Sequence, residues 1–362
     1  MVTVATFHVE YSRYLSPDGV AHEPLPEFAR NPEHLVRLYR AMVLTRVFDT
    51  KAIALQRTGK LGTFASSLGQ EAVSVGMADA MRPEDVLVPY YRDHGAQFVR
   101  GVSMAQPLLY WGGDERGSDF PAARKDFPNC VPIGTQVCHA AGVAYAMRVR
   151  REARVAVCSL GDGSTSKGDF YEGMNLAGAF GLPVVLVVVN NQWAISVPRS
   201  AQTRAATLAQ KALAAGIEGL QVDGNDVIAV RDGVARAIDK ARAGGGPTLI
   251  EALTYRLGDH TTADDASRYR DAGELREHWK LEPIARLRQY LAQSGAWDKQ
   301  REEQLLQECT AQVNRSVEEY LAMPFPSTET MFDHLYEQLP ESLRPQRETA
   351  LRFAPANGAP HG

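Results

Sequence analysis

The residues best suited to chemistry in this sequence are Asp162 and the pair Asn190–Asn191. Asp162 lies between Gly161 and Gly163, directly after the apolar run VAVCSL, and the two asparagines directly follow the run LPVVLVVV. A carboxylate and an amide oxygen are hard ligands of the kind Mg²⁺ prefers, and that ion usually takes one or two protein groups and leaves its other positions to phosphate oxygens. Glycines on both sides of the carboxylate let backbone N–H groups approach an anion. The inventory is that of a metal-bound diphosphate.

These residues need a frame that brings them together. The segment from Val155 to Ser196 reads strand, tight turn, helix, strand, polar turn, which is a complete βαβ unit. Phe170, Met174, Ala177 and Gly181 fall on one helix face, and Ala177 with Gly178 lets that face lie close on a sheet. Crossovers between parallel strands are right-handed, so Asp162 and Asn190–Asn191 end at the same carboxyl edge, where ligands bind. Short apolar runs at Val86 to Val88, Val155 to Leu160, Val184 to Val189 and Thr248 to Leu253 alternate with small-residue helices. This predicts an α/β fold, a parallel sheet flanked by helices. Leu35, Leu38, Met42, Val43, Val47, Ile53 and Ala54 recur at helical spacing, predicting a helix from His34 to Thr58 that Gly59 and Gly62 end. Residues 1–30 read as an extended arm with a turn, 31–270 as the α/β domain and 271–351 as a charged, Leu-rich helical extension. Residues 352–362, rich in Pro, Gly and Ala, read as a disordered tail.

The chain has 362 residues, 44% hydrophobic and 23% charged, values that exclude a collagenous, coiled-coil or disordered protein. With 39 basic against 43 acidic side chains, its net charge of −4 leaves no electrostatic footprint for nucleic acid or an anionic membrane. The longest apolar run, Leu182 to Val189, spans about 12 Å as a helix, far short of a bilayer. Cys130, Cys138, Cys158 and Cys309 form no C-x-x-C pair or zinc-type cluster, which suits a reducing cytoplasm. The N-terminus has no basic start before an apolar core, and its early acidic residues argue against an organelle presequence, so the expected mature start is near Met1.

GDG followed by NN one crossover later resembles the thiamine diphosphate motif. With it stand GQEA at Gly69 to Ala72, YRDHG at Tyr91 to Gly95, PIGTQ at Pro132 to Gln136 and YRLGDHTTADDASRYR at Tyr255 to Arg270. On these motifs the chain resembles, from about Leu35 to Leu321, the α subunit of the E1 component of 2-oxo acid dehydrogenases. The resemblance implies the thiamine-diphosphate-binding fold and an oxidoreductase that decarboxylates a 2-oxo acid and passes the acyl group to a lipoyl group. It implies that Asp162, Asn191 and the backbone oxygen of Trp193 bind Mg²⁺, and that Tyr91, Arg92, Gly161, Gly163 and Ser164 serve the diphosphate. Ile133 would be the apolar wedge that bends the cofactor, and His260 would face the reacting carbon. Backbone oxygens near Cys130, Pro132, Thr135 and Gln136 would serve a monovalent cation such as K⁺. The implied partners are an E1 β subunit, in an α₂β₂ heterotetramer, and a lipoyl-bearing E2 acyltransferase.

Two departures from the family pattern stand out. Asp259 replaces a common proline before His260, which predicts a looser loop or a histidine pKa shifted by the adjacent carboxylate. Thr261 stands where animal mitochondrial relatives carry a kinase-regulated serine. Pyruvate is the expected substrate, with a branched-chain 2-oxo acid (2-oxoisovalerate) as the alternative, because PYYRDHG also resembles branched-chain enzymes and one methylene is worth only about 1–3 kcal/mol. A Rossmann NAD dehydrogenase is a rival of another class. Against it, Ser166 falls where the third fingerprint glycine belongs, and Asn190–Asn191 replace the ribose-binding acid. A catalytically silent scaffold subunit is the other rival, opposed by the presence of Asp162, Asn191, Arg92 and His260 together.

Overall fold

A computed structural model describes residues 1–22 and 24–354. The strands are β1 (Tyr11–Ser12), β2 (Val86–Val88), β3 (Ala156–Gly161), β4 (Val184–Asn190), β5 (Trp193–Ala194), β6 (Val197–Pro198), β7 (Glu218–Asp223) and β8 (Thr248–Leu253). Six form one sheet in the order β1-β7-β8-β4-β3-β2, every pairing parallel, and β5 and β6 form a small antiparallel hairpin. The expected α/β fold with a parallel sheet flanked by helices is what the chain adopts.

Helices cover both faces of the sheet, which is why β4 can be buried at every position and reads as an unbroken apolar run. On one face Val157, Val185, Val187 and Val189 pack against Val230, Val234 and Ile238 of the helix Val227–Arg242. On the other, Cys158, Leu186 and Val188 pack against the helices Thr135–Val149 and Gly168–Ala179 through Ala140, Ala144, Met174 and Ala177. Each fully buried valine or leucine contributes about 1.5–3 kcal/mol. The two helices lie close because Gly173 has no side chain: a Cβ there would meet Val137 Cγ1 at 2.9 Å and the Cys138 backbone nitrogen at 3.1 Å.

Two strands carry no clear signal in the sequence. In β7, EGLQVD, only Leu220 and Val222 are apolar, because the strand lies near the sheet's edge, where one apolar face suffices. The arm supplies the edge itself: Tyr11 and Ser12 pair with Gln221 and Val222. Asp226 then anchors the following residues. One of its oxygens accepts from the Tyr14 and Leu15 backbone N–H groups, each at 2.7 Å, while the other caps the helix through Ile228 N and Ala229 N.

The predicted long helix runs Pro32–Arg57, with Asn31 as its cap and Pro32 in its first turn. After the sheet come the helices Ala272–Trp279, Pro283–Gln293 and Lys299–Ala322. Lys299–Ala322 packs along Pro32–Arg57, where the Tyr39 hydroxyl donates to Glu302 at 2.9 Å. A last helix, Arg344–Arg352, reaches the first residue of the expected disordered tail. Residues 355–362 of that tail lie outside the described residues. Among the described residues no helix is long and apolar enough to cross a membrane.

Candidate active site

In the β3/β4 ladder Gly161 is registered with Val189, so Asp162 and Asn190 leave the sheet at the same level. The residues after β2 and β8 converge there too: Thr254 N and Arg256 N donate to the Asn190 and Asn191 carbonyls at 3.0 and 3.1 Å. The result is a cavity of about 200 Å³ at the carboxyl edge. Tyr91, Arg92, Ile133, Gly161, Asp162, Gly163, Ser164, Asn191, Trp193 and His260 all line it. Residues from five separate stretches of sequence thus line one cavity.

Asp162 is 1% exposed, and burial raises its carboxyl above the ordinary range, opposed by a hydrogen bond from Gln202 Nε2 to Oδ2 at 2.8 Å. Gly163 must be glycine, because a Cβ would meet Ala194 Cβ at 2.7 Å. Asn191 Oδ1 accepts from Trp193 N at 3.2 Å, and its Nδ2 donates to Gln70 Oε1 at 3.0 Å. Just beyond, Gln192 and Ile195 hold φ values of 72° and 54°, a left-handed backbone that is a true outlier for β-branched Ile195. Such strain clusters at functional sites. Ile195 is also 56% exposed at the rim, and Ile133 40%.

Arg92, only 2% exposed, ties the β2 side to the loop carrying His260. Its Nη2 donates to the His260 carbonyl at 2.7 Å and lies 3.1 Å from His260 Nδ1, and its Nη1 donates to the Ser66 carbonyl. Its guanidinium carbon is 5.1 Å from the Tyr91 ring centroid. His260 is pushed down to about 4, by burial first and then by the positive charges of Arg92 and Arg256, so the imidazole is neutral at pH 7.

The structure corrects the expectation about Asp259. The carboxylate that acts on His260 is Asp264, which accepts the His260 backbone N–H at 2.8 Å, whereas Asp259 Oδ1 accepts from Ala266 N at 3.0 Å. The loop is also held at Thr262, whose N–H donates to the Phe64 carbonyl at 2.9 Å and whose hydroxyl accepts from Phe64 N at 3.0 Å. It is tied down, not loosened. His94, which carries no catalytic assignment, is buried against Phe64 and accepts from Trp111 Nε1 at 3.0 Å.

Four side chains at the site escaped the sequence reading. Gln70 lies in the GQEA motif, whose glutamine was a usable signal. Gln202 and Ile195 lie past the NN turn, where no motif marks them. Arg256 is buried beside the site, with Nη2 donating to the Tyr269 hydroxyl at 2.7 Å and with Nε and Nη1 unpartnered. At the expected monovalent-cation position, the Cys130 carbonyl accepts from Gln136 Nε2 at 2.7 Å.

The donor set fits a hard divalent cation that shares its ligands with phosphate. Among the described residues no group of three or more His, Cys, Asp or Glu is placed to hold a metal alone. One carboxylate, one amide and a nearby backbone carbonyl leave positions that an anionic ligand must fill.

Comparison with known proteins decides the family. The profile described as "Dehydrogenase E1 component" matches residues 39–329. The chain belongs to that family. Among relatives of this E1 chain is the pyruvate dehydrogenase E1 component subunit alpha of Acholeplasma laidlawii, 43% identical over 89% of this chain and 94% of that protein. The protein of the same name from Staphylococcus aureus (strain Mu50 / ATCC 700699) is 41% identical over 87% of this chain and 86% of that protein. The 3-methyl-2-oxobutanoate dehydrogenase subunit alpha of Mycobacterium tuberculosis (strain CDC 1551 / Oshkosh) is 42% identical over 94% of this chain and 93% of that protein. The resemblance to an E1 α-type chain of a 2-oxo acid dehydrogenase is borne out. Thiamine diphosphate is the cofactor of the E1 family.

Proposed function

We propose that this chain is the α subunit of a pyruvate-type E1 enzyme, holding the diphosphate and metal half of a thiamine diphosphate site that a β subunit completes. The observation that carries this is the single cavity at the sheet's carboxyl edge that gathers the GDG, NN, YRDHG, PIGTQ and His260 segments of an E1 chain. Asp162, Asn191 and the Trp193 carbonyl would hold Mg²⁺. Arg92 and Tyr91 would meet the diphosphate, with the Gly161, Gly163 and Ser164 donors around it, and Ile133 would press against the cofactor's bend. Thiamine diphosphate, when bound, supplies the carbon nucleophile and the electron sink for loss of CO₂ from a 2-oxo acid. The chain's residues hold and orient it, and neutral His260 can accept or relay a proton beside the reacting carbon. The product acyl group would pass to the lipoyl group of an E2 acyltransferase. A K⁺ ion at the Cys130 to Gln136 turn and a cytoplasmic location, which suits four unpaired cysteines, belong to the same proposal.

A second chain is supported by an exposed apolar surface on two helices. The helices Thr135–Val149 and Gly168–Ala179 lead away from the cavity and expose Tyr145, Val149, Tyr171 and Leu176, with Phe180 just after the second, its ring 5.5 Å from that of Tyr145. That apolar face suits burial against a partner.

The branched-chain reading keeps specific support, because the Mycobacterium tuberculosis relative matches nearly the whole chain. Comparing kcat/KM for pyruvate and 3-methyl-2-oxobutanoate in the assembled enzyme decides between them. A preference for pyruvate of about tenfold or more is expected, on the scale that a differing side chain in a pocket supports. A preference for the branched acid would assign the chain to the other type.

His260→Ala should slow acyl transfer to a lipoyl domain about 10²-fold, the low end for general acid–base help, and slow decarboxylation with an artificial electron acceptor much less. Equal losses in the two assays would place the histidine in an earlier step.

A further inference from the structure

Asn191 is useful to a metal only if its amide oxygen, not its nitrogen, faces the cavity, and the two ends of an amide are nearly the same size. From the hydrogen bonds around it we infer that Gln70 is a positioning residue that holds the Asn191 amide with its oxygen toward the metal position. The inference rests on the reading of Asn191 as a Mg²⁺ ligand given above.

Gln70 is held at both levels that matter. Its backbone opens the helix Glu71–Asp79, with Gln70 N donating to the Ser67 carbonyl at 2.9 Å, and its side chain is buried. Oε1 accepts two hydrogen bonds, one from the Tyr90 hydroxyl and one from Asn191 Nδ2, both at 3.0 Å. On its other side Asn191 Oδ1 accepts from Trp193 N at 3.2 Å. A reversed Asn191 amide would set its NH₂ against the Trp193 N–H and its oxygen against Gln70 Oε1, two mismatches in a dry interior.

Gln70 could relieve one mismatch by reversing too, since the Tyr90 hydroxyl can accept as well as donate, but the clash at the Trp193 N–H would remain, so Gln70 Oε1 and the Trp193 N–H hold the amide together from its two ends. The observed orientation leaves Gln70 Nε2 buried without a partner. The need for an acceptor facing Asn191 accounts for that arrangement. Partners that orient a metal ligand typically account for 10–100-fold in metal affinity.

The test titrates Mg²⁺ into the assembled two-chain enzyme at saturating thiamine diphosphate and follows binding by calorimetry. Gln70→Met keeps the side chain's length without a comparable acceptor and should weaken Mg²⁺ about 10–100-fold. Gln70→Glu offers an acceptor whichever way it turns and should weaken Mg²⁺ binding far less than Gln70→Met does. In an Asn191→Asp background either oxygen serves, so adding Gln70→Met should cost little there. A purely structural role predicts instead that Gln70→Met costs the same in both backgrounds and lowers the unfolding midpoint without metal or cofactor. Wild-type Mg²⁺ affinity in Gln70→Met, or equal weakening in Gln70→Glu, would overturn the inference. Asn191→Ala separates the layers: if it leaves Mg²⁺ affinity unchanged, the ligand assignment itself is wrong, and if it alone weakens binding, only the role of Gln70 falls.

Discussion

Asp162→Ala should cost the assembled enzyme at least about 10²-fold in Mg²⁺-dependent affinity for thiamine diphosphate while leaving the ligand-free fold as stable as before, or more so. The size follows from position: partners that merely orient a ligand cost 10–100-fold, and a direct carboxylate ligand should exceed them. The stability expectation follows from the sign of its pKa shift. Burial raises the Asp162 carboxyl in the folded chain, so above the ordinary carboxylate value the native state holds more protons than the unfolded one. Stability therefore falls as pH rises through that window, so the ionised form is a net burden until a cation neutralises it. Gln202 Nε2 is its side-chain partner, and Gln202 is only partly buried, so water can replace the lost bond. Calorimetric titration and a thermal melt read the two halves separately. Unchanged cofactor affinity would remove Asp162 from the metal site, and a large fall in melting temperature would make it a structural residue.

Much of the site was legible because its residues sit at the ends of the most apolar strands. β3 and β4 are continuous hydrophobic runs, so the turns after them stand out, and parallel pairing puts Asp162 and Asn190–Asn191 side by side without further information. What stayed hidden depends on contacts across long stretches of chain. The bond from Asn191 to Gln70 joins residues on separate segments, and Gln202 reaches Asp162 from a short helix after the hairpin. The action of Asp264 on His260 was misassigned to Asp259 for a related reason. Adjacency in sequence suggested the wrong carboxylate, while the loop's own turn brings Asp264 onto the His260 N–H. β1 and β7 escaped because strands at and next to the sheet's edge need few apolar residues, and the arm's role at the sheet shows only when Tyr14 and Leu15 meet Asp226.

The chain alone should show no oxidative decarboxylation, and pairing it with its β subunit should restore full activity. The residues proposed for the diphosphate, the metal and the bend at Ile133 all line one cavity. By the family resemblance, activation of thiamine diphosphate would also call for an acid at the far, pyrimidine end, on a second α/β domain. After Arg270 the described residues add helices to this chain but no second sheet. The exposed Ile133 and Ile195 at the rim are where that second domain would close over the cofactor.

The most direct measurement is the rate of CO₂ release coupled to lipoyl acylation, with pyruvate, thiamine diphosphate and Mg²⁺ present, for this chain purified alone and after assembly with the β chain. The two-chain account predicts a rate at background for the isolated chain and turnover only for the assembly. Full turnover by the isolated chain would contradict it.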